Sequence, residues 1–340
     1  MRAHHVTNLI VLALMGGALF AARWVHRNRL WREAFTVLWS RRRLSIIVFG
    51  LYTAVALADS VAWIGGQVGG SDSVAAHEAR SLVDRAFYDT GEKSYSAPFA
   101  KKEFYGGASL RRPGGHWLGT DIIGRDVLYV ALKGCRVALL IGGFTSLITI
   151  PLALLFGVSA GYFGKFIDDS VFFVMSTLAS IPGILLLIAL IMALGRSTSS
   201  VCVALGVTSW VGFSRLSRGE TMKLRELDYV HAARALGVSD ARIIVRHILP
   251  NLMHLVVITF VLLFSGLVLS EAVLSWLGVG ADGSWGQMIA QAKNELSREP
   301  MVWWNLVAAG VAQFGLILAV NFIGDAVRDI LDPRTLKENL

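Results

Sequence analysis

The sequence predicts an all-α, polytopic integral membrane protein, and three observations carry that reading. Of its 340 residues 54% are hydrophobic and 16% charged, with a mean hydropathy of +0.58, whereas soluble domains carry roughly a quarter charged residues. A soluble fold of this composition would expose large apolar patches. Several apolar runs approach the roughly 20 residues that a helix needs to cross the hydrocarbon core. Basic residues gather between those runs, as they do in cytoplasmic loops.

The runs lie at 44–64, 136–162, 171–194, 198–216, 253–277 and 303–325, with a shorter one at 7–22. None shows the period-two alternation of barrel strands, and helices pair every backbone amide within the segment. The run at 198–216 is the weakest, because Ser and Thr fill its first turn and Trp210 and Arg215 stand near its end. The run at 7–22 follows a short Met-Arg-Ala-His-His leader that would suit a signal peptide. Bulky Leu19 and Phe20 stand where small residues would precede a cut after Ala21 or Ala22, and basic residues follow at once. The expectation is an uncleaved extra helix with its N-terminus outside.

The formal net charge is +8. Its placement argues against a nucleic-acid partner, since Arg23, Arg27, Arg29, Arg32 and Arg41 to Arg43 sit between apolar runs. They place that linker in the cytoplasm. Threading onward puts 163–170 and 217–252 inside, 195–197 and 278–302 outside, and the C-terminus inside. Arg218, Lys223, Arg225, Arg234, Arg242 and Arg246 in the 217–252 loop agree with this, against only Arg196, Lys293 and Arg298 in the short outer loops. The expected organisation is an extra helix and basic linker (1–43), a first core helix with a long extracytoplasmic loop (44–135), a helical core (136–325) and a cytoplasmic tail (326–340). Cys135 and Cys202 read as small core residues.

The 217–252 loop carries the most informative pattern. Asp228-Tyr-Val-His-Ala-Ala-Arg-Ala-Leu-Gly237 reads as a short Ala-rich helix closed by Gly237 in a left-handed turn. Ser239 or Asp240 is placed to cap a second helix, which Pro250 is expected to end. Without further information, this is either a docking element for another protein or an amphipathic surface connector.

The loop resembles the Glu-Ala-Ala…Gly…Leu-Pro segment of binding-protein-dependent ABC importer permeases, in the version of their dipeptide/oligopeptide/nickel branch. Ala232, Ala233, Gly237, Leu249 and Pro250 fall on motif positions, while His231 stands where that family usually has Glu. Three further stretches are similar to the same branch. His116-Trp-Leu-Gly-Thr-Asp121 with Gly124-Arg-Asp126 resembles its His-Pro-Leu-Gly-Thr-Asp…Gly-Arg-Asp signature, with Trp117 in place of Pro. Ser270 to Gly280 with Ser284-Trp-Gly286 resembles a second signature, and Gly324 to Pro333 a third.

What the resemblance implies is a six-helix importer permease core in a bacterial inner membrane, a core from which the expected extra N-terminal helix at 7–22 departs. It implies a second homologous permease, two ATPase subunits and an extracytoplasmic solute-binding protein as partners. The cargo would be di- or oligopeptides, with nickel chelates or antimicrobial peptides as alternatives. Coupling to the ATPases would run through Tyr229, His231, Ala232, Ala233, Arg234, Gly237, Ser239, Asp240 and Pro250. No Gly-x-x-x-x-Gly-Lys-Ser/Thr phosphate loop is present, so ATP and Mg would be used by the partner subunits, and this chain is expected to bind no cofactor and to hydrolyse nothing. No histidine spacing suggests a metal, and no nucleophile–base pattern suggests catalysis. An ion-driven transporter, the rival of a different class, would need titratable residues at mid-membrane; most helix interiors here carry none.

Three placements stay open. Gly119, Thr120, Asp121, Gly124, Arg125 and Asp126 suit a structural clasp at the outer surface or a substrate contact. Glu271 suits pore lining or structural pairing, and Pro182 either a kink that shapes the pathway or a harmless bend.

Overall fold

The computed structural model describes residues 29–64, 79–87 and 91–331. The expected helix at 7–22 and the tail beyond 331 lie outside the described residues. The described chain is mostly helical and falls into two compact units, the first running to Leu139 and including Asp282–Ile323, the second comprising Leu140–Ala281 and the chain from Gly324.

In the first unit, α1 (Arg29–Ser60) leaves helical geometry at Arg42, and its span-length part runs from Arg42 to Ser60. The long loop after it contains a short antiparallel ladder that the sequence did not announce, β1 (Ala62–Ile64) against β2 (Ala79–Ser81). Ser81 then opens α2 (Leu82–Ala86) with a capping box, its hydroxyl accepting the Asp84 amide while Asp84 accepts the Ser81 amide. Charge fastens this segment to α3 (Val127–Leu139). Asp59, at the end of α1, accepts from the Ser81 hydroxyl at 2.9 Å, and Arg136 lies 3.2 Å from its other oxygen without hydrogen-bond alignment. Asp84 accepts from Lys133 at 2.5 Å and Tyr129 at 2.8 Å. Burial by itself would raise the Asp84 carboxyl, but hydrogen bonds from Lys133, the Ser81 amide and Tyr129 outweigh it and bring the pKa to about 2.

The second unit starts with a π-helical turn, Leu140–Phe144, that continues α3 into α4 (Thr145–Phe163). Next come α5 (Lys165–Ser180), α6 (Gly183–Leu194), α7 (Thr198–Thr208) and α8 (Trp210–Arg225). The short α9 (Asp228–Ala235) and α10 (Asp240–Ile243) lead through a second π-helical turn, Ile244–Ile248, into α11 (Leu249–Trp276). The chain closes with α12 (Trp285–Glu295) and α13 (Trp304–Leu331).

Among the described residues four helices are long and apolar enough to span: Arg42–Ser60, Val127–Phe163, Asp240–Trp276 and Trp304–Ile330. Two expected spans need correction. The run 171–194 is no single helix, because α5 and α6 meet at 91°. Pro182 supplies no amide and forces Ile181 into extended geometry (φ −88°, ψ 130°), so the expected kink or bend at Pro182 is a full break. The run 198–216 is interrupted at Ser209 into α7 and the start of α8, and neither helix reaches the length of a span.

The tightest packing is that of α4 against α8. A Cβ on Gly157 would stand 2.1 Å from the Ser217 hydroxyl, and one on Gly161 would stand 2.6 Å from the Arg218 carbonyl. Glycine at both places lets the two backbones touch. Arg218 then grips Asp168 of α5 with two hydrogen bonds of 2.5 and 2.6 Å. Gly157→Val is therefore expected to destabilise the protein by about 1–3 kcal/mol, as overpacking of a filled contact does. Gly143→Ala, where a Cβ meets nothing within 4 Å, should leave the melting temperature of the detergent-purified protein almost unchanged.

Candidate coupling surface and outer clasp

The helix–turn–helix at 228–243 is built as a rigid corner. Val238 donates to the Ala233 carbonyl at 3.1 Å and Gly237 to the Arg234 carbonyl at 3.0 Å, the pair of bonds of a Schellman motif. Gly237 takes φ +75° there, a conformation that costs other residues about 1–2 kcal/mol. Beneath the corner, Val230, Ala233, Ile243, Ile248 and Leu252 are buried against Val158 and Tyr162 of α4. The Tyr162 hydroxyl donates to Asp240 at 2.6 Å, and the Arg234 guanidinium lies 5.4 Å from the centre of the Tyr162 ring.

Two expectations about this corner change. Ser239 occupies the N-cap position of α10 but its side chain caps nothing, while Asp240 is engaged by Tyr162. Pro250 does not end the second helix: it sits in the first turn of α11, and the helix runs on from Asp240 to Trp276. The wider π-helical turn before it leaves room for the proline ring, which lacks an amide to donate. The corner and a membrane-length helix are thus one continuous rod.

The predicted residues divide by face. Ala233 points inward, whereas Tyr229, His231, Ala232, Arg234, Gly237 and Pro250 are exposed. Tyr229 accepts from the Asn251 amide at 3.2 Å. His231 stands 3.7 Å from Glu226, both more than half exposed, so this contact is weakened by solvent. The largest apolar protrusion is Leu236, 84% exposed, which the motif reading passed over. An apolar residue directly before a helix-ending glycine was its only signal. Tyr162 was also missed, and nothing local marks it, because its partners lie some 70 residues away.

The 116–126 segment is a clasp. Gly119 and Gly124 take φ of +74° and +76°, and a Cβ on either would collide with the carbonyls of Ser96 and Glu92. Thr120 donates to Ser94 O at 2.8 Å and accepts from the Ser96 amide at 2.6 Å, while its carbonyl accepts the Trp304 indole N–H at 2.9 Å. Asp121 accepts from the Ile123 and Arg125 amides and from the Arg125 side chain, at 2.8–3.0 Å. Asp126 caps α3 through the Leu128 amide at 2.8 Å and holds His116 Nδ1 at 2.9 Å. His116 Nε2 lies 3.3 Å from Glu92, whose carboxylate also accepts the amides of Arg111 and Arg112. Burial would raise Glu92, but those amides and His116 hold it below the usual carboxylate range. His116, Thr120, Asp121 and Asp126 are buried, and the Arg125 guanidinium is partly exposed.

Glu271 is likewise buried, at 4% exposure. It accepts from the Ser275 hydroxyl at 2.6 Å and the Ala281 amide at 3.2 Å, closing the turn after α11. Of its two open readings, these contacts are those of structural pairing.

A profile described as binding-protein-dependent transport system inner membrane component matches residues 153–337, more than half of the chain. The chain belongs to that family. It is a multi-pass transport permease and not a catalytic subunit. A putative peptide transport system permease protein from Brucella abortus is 39% identical over 226 residues, covering 66% of this chain and 75% of that protein. The glutathione transport system permease of Pectobacterium atrosepticum is 36% identical over 222 residues (64% and 73%). The oligopeptide transport system permease of Haemophilus influenzae is 33% identical over 224 residues (65% and 71%). Among solved structures, an inward-facing methionine ABC transporter superposes with a TM-score of 0.50 at 21% identity, covering 60% of this chain and 98% of that one. That likeness supports the permease fold.

One buried group in the permease remains unbalanced. Glu295, 2% exposed, accepts weakly from Tyr95 at 3.3 Å and Asn305 at 3.4 Å through one oxygen, while the other has no partner. Burial raises its pKa, Asp121 adds to the rise, and Arg298, over the Tyr95 ring, opposes it. Burial likewise pushes Tyr95 up to about 12. Because Glu295 is raised on folding, its stabilisation is complete below its unfolded pKa of about 4.5 and is lost as pH rises through the higher folded value. Glu295→Gln does not titrate. The wild-type melting temperature should fall relative to this variant between pH 4 and 8; a constant difference across that range would show that Glu295 does not titrate in the folded protein.

Proposed function

We propose that this permease forms half of the translocation pathway of an ATP-driven importer of di- and oligopeptides. A second homologous permease would supply the other half, two ATPase subunits would bind inside, and an extracytoplasmic solute-binding protein would deliver the cargo. The observation that carries the reading is the exposed corner at 228–243, fused through α10 and its π-helical turn to α11. A partner that moves this corner moves a membrane-length helix with it. The names of the relatives support peptides as cargo, and the basic residues around the corner support its cytoplasmic placement. ATP and Mg belong to the partner subunits in this scheme.

The mechanism is one of differential affinity: the ATPase must grip the corner differently in its two nucleotide states, or hydrolysis drives nothing. Tyr229, His231, Ala232, Arg234, Leu236 and Gly237 offer the grip, and Tyr162 and Asp240 keep the corner from yielding. His231 removes the negative charge usual at that position, so the partner surface facing it has no call for a matching cation.

A tagged chain purified from membranes is expected to bring down a second permease and ATPase subunits; transport by the isolated chain without ATP would overturn the scheme. A Cβ at Gly237 meets no neighbouring atom within 4 Å, so the cost of Gly237→Asp in the folded chain is confined to the φ of +75°, about 1–2 kcal/mol. The variant should therefore reach the membrane at near-normal levels while peptide uptake drops by at least about tenfold, the loss that roughly 1.4 kcal/mol at the grip would produce. Normal uptake by that variant would remove the corner from the coupling path.

A further inference from the structure

The first unit contains a groove of about 600 Å³ bounded by α1, α3, the 91–126 segment and the start of α13. Its walls are aliphatic, with Leu51 and Val55 facing Leu128, Leu132, Val307 and Val311. Two polar groups between the helices are already committed: the Tyr52 hydroxyl donates to Ala312 O at 2.8 Å, and the Trp304 indole to Thr120 O at 2.9 Å. A polar occupant would lose its hydration and gain no partner. The groove calls for hydrocarbon.

Depth and rim narrow the occupant further. Along α13 the groove runs from Trp304 to Ala312, ~12 Å at the rise of a helix, close to the ~15 Å of one leaflet's hydrocarbon. Its lips are aromatic, with Phe99 65%, Trp117 63% and Trp303 46% exposed, as is usual where a membrane meets water. The backbone bonds Phe99 N–His116 O, Gly114 N–Ala100 O and Leu110 N–Lys101 O continue directly from those lips. This paired segment carries exposed Lys101, Lys102, Arg111 and Arg112 and the carboxylate of Glu103, with Glu92, already holding the Arg111 and Arg112 amides and His116, beside it. Each cation near an anionic headgroup contributes about 1 kcal/mol.

We propose that this groove is a binding site for an anionic phospholipid, with an acyl chain between α1, α3 and α13 and the phosphate against the Lys101, Lys102, Arg111 and Arg112 rim. The leaflet concerned is the one on the side of the 91–126 segment, which the importer reading places outside. Trp117 occupies a position where the resembling family usually has Pro, so this lip belongs to the chain and not to the shared motif.

The test uses the full-length chain with its copurified partners in nanodiscs containing trace phosphatidylglycerol with a photoreactive diazirine in the acyl chain. Labelled residues are mapped by mass spectrometry. Label on the groove walls should exceed that on the exposed apolar residues Phe172 and Phe173 of α5 by about fivefold, roughly 1 kcal/mol of preference. Trp117→Ala should lower the groove signal severalfold. Lys101→Glu with Arg112→Glu should abolish the advantage of the phosphatidylglycerol probe over a phosphatidylcholine one. Uniform labelling of both regions, or a groove signal indifferent to charge reversal, overturns the site. So does a benzoylphenylalanine at position 117 that cross-links to residues 7–22 or to a partner protein, since the occupant is then protein. Neither peptide nor nucleotide enters the measurement, so failure here and failure of the transport scheme are separately visible.

Discussion

Within hydrocarbon an unpaired backbone amide or carbonyl costs several kcal/mol, and this constraint governs where the chain is allowed to bend. Its consequences are visible at each irregularity. Where α3 passes into α4 and where α10 passes into α11, the helix widens to π geometry without opening its hydrogen bonds. Among the described residues it breaks outright at Ile181–Pro182, where an amide is missing in any case, and at Ser209, whose own amide still reaches Leu205 at 2.9 Å. The helices tolerate distortion that keeps amides paired and resist distortion that does not.

The close approach of α4 and α8 follows from the same economy of polar groups. Hydrophobic attraction between helices is weak in lipid, so association depends on surface fit and on polar contacts. Gly157 and Gly161 supply the fit, and the Arg218–Asp168 pair supplies the polar contact at the end of the helix pair. Tyr162, one residue beyond Gly161, is thereby brought under the 228–243 corner. Its bond to Asp240 turns an otherwise short pair of helices into a fixed projection.

The 91–126 segment solves a different problem, the ordering of a polar loop with little apolar area to bury. It does so with carboxylates that each satisfy several amides, as Asp121, Asp126 and Glu92 do. Such groups are effective because charge-assisted bonds are about twice as strong as neutral ones. Glu271 holds the turn after α11 through one amide, that of Ala281, and the Ser275 hydroxyl. Acidic residues that in a membrane protein first suggest a pathway are here largely employed in holding loops shut.

The membrane class, the helical content, the position of Gly237 and the family were all legible in the residues themselves, because run length, charge placement and a glycine before a capping pattern are local properties. Tertiary structure alone decided the rest. Pro182 reads as a kink or a harmless bend until the direction of the following helix shows a break, and Pro250 reads as a terminator until a π-helical turn accommodates it. Glu271 and the 119–126 residues have side chains suited to cargo or to clasp, and only the positions of Ser275, Ala281, Ser94, Ser96 and Glu92 assign them. The physical reason is common to all: a backbone hydrogen bond or a steric limit acts over a few residues, whereas the partner that uses a carboxylate or fills a groove arrives from anywhere in the chain.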